Sequence, residues 1–166
     1  MGVSAIVYTS ATGFTAQYAV LLAEETGLPA LSLEEAAGQL EQGTEVVYLG
    51  WLCAGSIKGL SRAAKRFTIR AICAVGMAPP DPAYTAKLAR PDSLREAPMF
   101  YLRGGYAPAR LQGIYRPMMA LMGWMVNRDA AKDGDKDGMA EAFNRGGNWV
   151  DPKSLAPVVN WLQAAR

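Results

Sequence analysis

Hydrophobic positions along the chain fall into short continuous runs separated by stretches of helical spacing, and this alternation predicts an α/β fold. Residues 3–8 form a β-branched apolar run that ends in a Ser/Thr/Gly cluster. A helical pattern opens there and covers residues 13–26 until Gly27 stops it. Residues 28–33 read as a second strand, followed by an Ala- and Glu-rich helical segment over 34–42. Residues 45–50 read as a third strand, apolar on both faces as a central parallel strand requires. A loop of small residues, 51–56, leads into a basic helix over 58–67, and residues 71–76 supply the fourth strand. A Pro-rich loop over 77–82, a poor helix over 83–94 broken at Arg90-Pro91, and a fifth strand over 99–103 complete the alternation. Strands joined by helices imply a parallel sheet covered on both faces.

Plain alternation ends after the fifth strand. Residues 108–147 read as an excursion with a Met-rich helix over 111–126, a charged loop at 133–138 and a Gly-Gly turn. A last helix follows, with Asp151 as N-cap and Pro152 at its first position. In the Met-rich helix Leu111, Ile114, Met118, Leu121, Met122 and Met125 keep helical spacing, but Tyr115, Met119 and Trp124 widen the apolar surface beyond one stripe. Ordinary packing is the expectation. A dimer contact, or rest on a lipid surface beside Arg110, Arg116, Arg128 and Lys132, stays open.

Composition narrows the function classes. The 166 residues are 51% hydrophobic and 19% charged, which suits one domain over residues 1–166 with a sizeable core. A net charge of +2 without a clustered basic stripe does not argue for nucleic-acid binding. The two cysteines, Cys53 and Cys73, cannot build a disulfide framework, so a reducing cytoplasm is the expected compartment. The first residues run straight into a strand pattern with no secretion signal. The longest strongly apolar stretch, 114–126, contains Arg116 and falls short of the roughly 20 residues a membrane span needs. With no histidine at all, Ser-His-Asp and Cys-His nucleophile pairs, H-E-x-x-H zinc sites and imidazole acid-base work are excluded. Chemistry in this chain is expected to rest on a cofactor, or to be absent.

The loop Ser10-Ala11-Thr12-Gly13-Phe14-Thr15 is where one would bind. It lies between the first strand and first helix, where backbone amides and the helix dipole favour an anion. Ser10, Thr12 and Thr15 add hydroxyl donors, and Gly13 permits close backbone approach. The loop has neither the lysine of G-x-x-x-x-G-K-S/T nor the spaced glycines of a dinucleotide loop. A monophosphate held by neutral donors is its natural guest.

Those residues resemble the flavodoxin family, whose FMN phosphate loop reads S/T-x-T-G-x-T directly after the first strand; Ser10, Thr12, Gly13 and Thr15 match it, and Phe14 stands where the family usually has Asn. The resemblance implies FMN as cofactor and a flavodoxin-like three-layer sandwich with sheet order 2-1-3-4-5, helically inserted between the fifth strand and last helix. It implies ligand binding at the carboxyl ends of the strands. The segment Gly50-Trp51-Leu52-Cys53-Ala54-Gly55-Ser56 would then flank the flavin, and Gly76-Met77-Ala78 would form the other wall. Trp51 is open to either direct flavin contact or a core or rim role. Met77 replaces the tyrosine often seen in flavodoxins and implies a looser wall. Lys58, Arg62, Lys65 and Arg66 follow the flavin segment, either favouring a reduced, negatively charged flavin or forming a solvated helix face. Cys53 reads as a small loop residue rather than a redox group.

The helix-bearing excursion, opening on Tyr115-Arg116-Pro117-Met118-Met119, is similar to the flavodoxin-domain group that includes flavodoxin-type protoporphyrinogen oxidases. In that group the insertion is tied to substrate or membrane contact. The expected function is electron transfer by an FMN protein working with a redox partner protein or a small donor or acceptor. The alternatives are an FMN-dependent oxidoreductase of the quinone-reductase or protoporphyrinogen-oxidase type and a flavodoxin-shaped interaction module. No catalytic side chain is assigned. Residues 133–138 imitate the opening of an EF-hand loop, but Asn144 stands where the bidentate Glu belongs, so a charged surface loop is expected and no metal is assigned.

Overall fold

The computed structural model describes residues 2–111, 113–135 and 139–165. The chain begins with β1 (Ala5–Thr9), α1 (Phe14–Thr26), β2 (Ala30–Ser32), α2 (Leu33–Gln39) and β3 (Glu45–Cys53). It continues through β4 (Ser56–Ile57), α3 (Leu60–Arg66), β5 (Thr68–Gly76), α4 (Pro82–Ala86) and β6 (Met99–Arg103). Then come β7 (Gly105–Tyr106), α5 (Tyr115–Asp133), α6 (Met139–Arg145), β8 (Gly147–Asn148) and α7 (Ala156–Ala164). The principal sheet is ordered β2-β1-β3-β5-β6 with every pairing on that path parallel. Counted along the path, this is the expected 2-1-3-4-5 order of a flavodoxin-like three-layer α/β sandwich.

Alternation within buried strands builds the layers. Ala5, Val7, Val46, Tyr48, Ile72 and Ala74 point to the face covered by α2 and α3 through Leu33, Ala36, Leu60 and Ala63. Ile6, Val47, Leu49, Cys73, Val75 and Leu102 point to the other face, under Tyr18, Ala19 and Leu22 of α1 and Val158 and Leu162 of α7. Both faces of the central strands are thus dry, which is why these strands read as continuous apolar runs. The Tyr18 hydroxyl joins three segments in this layer: it donates to the Arg103 carbonyl (2.6 Å) and accepts from the Asp151 amide (3.2 Å). Tyr18→Phe leaves both groups short of a partner and is expected to cost about 1–2 kcal/mol, read as a lower urea midpoint at unchanged slope.

Several boundaries move. Strand β3 runs on to Cys53 and turns back into β4 through Leu52↔Ile57 and Cys53↔Ser56, so the expected loop at 51–56 is a two-residue hairpin. Its turn, Ala54 (φ 52°) and Gly55 (φ 78°), has positive φ at both positions. Strand β5 starts earlier than expected, at Thr68, because Thr44 and Glu45 of the β3 end already pair with it. The segment over 83–94 splits into α4 and a short 3₁₀ turn, Asp92–Leu94, with Pro91 between them ending any continuous helix. Asp151 caps a 3₁₀ turn, Pro152–Leu155, that leads into α7. The excursion's helix starts at Tyr115 and runs to Asp133. It packs back on α6, and β8 returns to pair antiparallel with β7.

Candidate functional site

The first turn of α1 is held open by its own sequence. Gly13 sits at φ 100°, ψ −10°, a conformation L side chains rarely adopt, and this lets the chain enter the helix abruptly. The Ser10 hydroxyl oxygen accepts from the amides of Gly13 (3.1 Å) and Ala16 (3.4 Å), doing from upstream what an N-cap side chain normally does. Among the described residues, the amides of Ala11, Thr12, Phe14 and Thr15 have no hydrogen-bond acceptor. Thr15 is only 2% exposed, and its hydroxyl also lacks a partner among the described residues. Phe14 is buried and packs against Gly105, which explains an aromatic side chain at a position facing away from solvent.

A crevice opens beside this loop at the carboxyl ends of β1, β3 and β5. It is lined by Ser10, Ala11, Thr12, Phe14 and Thr15 from the loop, Trp51 and Leu52 from β3, and Val75, Gly76 and Met77 from the end of β5. Gly105, Tyr106, Leu111 and Met119 close it from the excursion side. An adjoining apolar chamber shares Leu52, Gly76, Met77 and Met119 with it. Cys53, Ala54, Gly55 and Ala78 line this second chamber, together with Tyr84, Tyr101, Met122, Val126, Met139 and Phe143. The segments expected to meet a flavin therefore converge, but on two neighbouring spaces with a shared wall.

One expected contact needs correction. Gly50 does not face the crevice: a Cβ there would lie 2.5 Å from Ile57 Cγ2 and 2.8 Å from the Lys58 carbonyl, so it is a packing glycine beneath the β3–β4 hairpin. The amides after Gly50 are also not all free. The hairpin pairs residues 52 and 53 with 57 and 56, and the Trp51 carbonyl accepts from the Lys58 amide (3.0 Å). Trp51 is half-buried and meets the Tyr115 ring edge-on at 5.1 Å.

The basic segment after the hairpin divides. Arg66 donates from Nη2 to the carbonyls of Ala37 (2.6 Å) and Leu40 (3.2 Å), and Arg62 lies 3.9 Å from Glu34. Both are engaged by α2. Lys58 instead lies 5.7 Å from the centre of the Tyr115 ring, which itself touches Trp51. On the opposite wall, the Met77 carbonyl accepts from Arg103 Nε (3.0 Å) and the Ala78 carbonyl from the Tyr101 hydroxyl (2.6 Å), fixing the loop after β5. Burial pushes the phenols of Tyr101 and Tyr106 up from their ordinary values. Cys73 is fully buried in the sheet and burial pushes its thiol up to about 12, so it offers no thiolate near neutral pH.

The expected packing stripe of the Met-rich helix is also revised. Tyr115, Met119 and Val126 pack with Tyr106, Leu111 and Phe143, and Gly123 lets the Phe143 ring approach closely. Ile114 (74% exposed), Leu121, Trp124 (60%) and Met125 point outward instead, beside Arg128, whose guanidinium stacks 5.2 Å from the Trp124 ring. Among the described residues no helix is long and apolar enough to cross a membrane. In the loop that follows, Asp135 accepts from the amides of Ala140 (2.9 Å) and Glu141 (3.0 Å) and so caps α6. Asn144 exchanges side-chain amide bonds with Asn127 (2.9 Å each way). Residues 136–138 of the EF-hand-like stretch lie outside the described residues.

One residue at the site carried no local signal. Arg110 ends a 3₁₀ turn, Pro108–Arg110, and its Nη1 donates to the Thr12 carbonyl at 3.0 Å. A loop that reads as free of positive charge therefore has a guanidinium bonded to its backbone at Thr12. No protein-family model matches this chain, and neither does any curated protein or solved structure. The residues present fit FMN: unpartnered amides and the Thr15 hydroxyl suit a monoester phosphate, and Trp51, Leu52, Val75 and Met77 suit a flat apolar ring.

Proposed function

We propose that this chain is an FMN-binding flavodoxin-like protein of the cytoplasm acting in electron transfer. The observation that carries the reading is the convergence of the 10–15 loop, Trp51 and the Gly76–Met77 turn on one crevice at the reversal point of the strand order. FMN, when bound, supplies reversible uptake and release of electrons. The chain's residues anchor and orient: first-turn amides and hydroxyls take the phosphate, while Trp51 and Met77 bound the ring. No carboxylate lines the crevice among the described residues, so nothing there opposes negative charge on a reduced ring.

Titration of the purified protein with FMN tests this. Retained flavin absorbance is expected, with a rise in Tm of about 5–10 °C at a hundredfold excess over Kd. Neither absorbance nor stabilisation would leave the interaction-module reading.

A second reading, an FMN-dependent oxidoreductase of quinone-reductase or protoporphyrinogen-oxidase type, is favoured by the apolar chamber beside Met77 and Met119. Turnover of a quinone or porphyrinogen by the loaded protein distinguishes it from a carrier served by a partner reductase. The outward face at Ile114, Leu121, Trp124 and Met125 supports a peripheral membrane or dimer contact in either case.

A further inference from the structure

We infer that Arg110 is a specificity-determining residue that makes the 10–15 loop select a terminal phosphate monoester over an uncharged ligand of the same shape. The inference rests on the flavin reading above and assigns the excursion a part in it: FMN is favoured over riboflavin by a cation delivered from far along the chain.

Three observations meet here. Ser10 takes the amides of Gly13 and Ala16, while those of Ala11, Thr12, Phe14 and Thr15 have no acceptor among the described residues, nor has the hydroxyl of Thr15, a residue that is 2% exposed and lines the crevice. Arg110 Nη1 donates to the Thr12 carbonyl (3.0 Å) and would lie 3.5 Å from a Cβ placed on Gly13, so the guanidinium flanks the loop at Thr12 and Gly13, next to the crevice. Arg110, like Arg66, Arg90, Arg103 and Arg116, has no carboxylate partner among the described residues, so no carboxylate neutralises its charge beside the loop.

The chemistry follows from the donor geometry. A guanidinium has five N–H donors in a plane, and one is used on Thr12, leaving others to meet a phosphoryl oxygen. The bond to Thr12 also covers a carbonyl oxygen whose partial negative charge would repel an anion. Arg110 thus both supplies positive charge and masks an opposing dipole, while the amides of Phe14 and Thr15 bind from the helix side.

Arg110→Gln and Arg110→Lys, compared with the unaltered protein, test the assignment through Kd values for FMN and riboflavin. The side chain is exposed, so both variants should fold. Arg110→Gln is expected to weaken FMN about tenfold and leave riboflavin unchanged, with Arg110→Lys in between because it keeps charge without the planar fork. Equal weakening of both ligands, or of neither, would overturn the assignment. Inorganic phosphate serves as a second probe by thermal shift. Stabilisation of the unaltered protein and loss of it in Arg110→Gln supports Arg110 even if FMN fails to bind, which would overturn only the flavin reading. Binding of neither phosphate nor FMN overturns both.

Discussion

Gly13→Val should abolish useful FMN binding while leaving the fold intact. Gly13 sits at φ 100°, ψ −10°, where a β-branched residue carries roughly 1–3 kcal/mol of strain. Relief of that strain requires rotation of the peptide, which pulls the Gly13 amide away from Ser10 Oγ and turns the Phe14 amide out of the nest. The added methyl groups also extend toward Arg110, whose Nη1 already lies 3.5 Å from the Cβ position. Because several donors are re-aimed together, a loss of a hundredfold or more in affinity is expected, about 2.7 kcal/mol. Far-UV circular dichroism should barely change, since the strain falls at the helix entrance rather than in the core. Gly13→Asn, which tolerates positive φ better, should recover part of the affinity. A valine variant that binds FMN like the unaltered protein would refute the loop as the anchor.

Gly105→Ala should produce a large loss of stability. A Cβ at this position would lie 2.3 Å from the Gly147 carbonyl oxygen and 2.6 Å from Phe14 Cε1. The carbonyl belongs to β8, which is paired to β7 through Gly105↔Asn148 and Tyr106↔Gly147, so it cannot retreat without opening that ribbon. Overpacking against backbone on one side and a buried ring on the other is expected to cost about 3 kcal/mol. The readout is a fall in Tm of roughly 6–12 °C with an unchanged urea slope. Flavin affinity should fall too, because Gly105, Tyr106 and Phe14 line the same crevice. An unchanged midpoint would mean that β7 and β8 are not joined in this way.

The sheet was legible because its strands are buried on both faces: runs such as residues 45–50 leave no polar side that another architecture could use. The continuation of β3 through Trp51, Leu52 and Cys53 was not. Its two-residue turn needs positive φ twice, and the usual local signal is Asn-Gly or Asp-Gly; Ala54-Gly55 performs the turn without advertising it. Small residues there read as a ligand loop, and Gly50 as the start of the segment flanking the flavin, whereas the side-chain space of Gly50 is filled by Ile57. The 10–15 loop was readable as a local motif, since a helix N-terminus, its hydroxyls and its glycine are contiguous in the chain. Arg110 was not readable, because it meets Thr12 across 98 positions and nothing around it distinguishes it from Arg116 or Arg128. The direction of the Met-rich helix was likewise ambiguous. Apolar residues lie on several sides of it, and the inward side is the one where Tyr115, Met119 and Val126 meet Tyr106, Leu111 and Phe143 and Gly123 lets the Phe143 ring close in.

Phe14 and Ser10 together settle when the loop becomes ordered. The ring is clamped beneath Gly105 and the hydroxyl oxygen holds two amides, so the donors are already aimed before any anion arrives. Ordering a backbone residue costs about 1–2 kcal/mol, and here that entropy is lost when the chain folds rather than when a ligand binds. Were a phosphate-bearing guest to bind here, it would meet a stiff receptor, and its arrival rate is expected to follow diffusion into the crevice rather than the slower closing of a floppy loop.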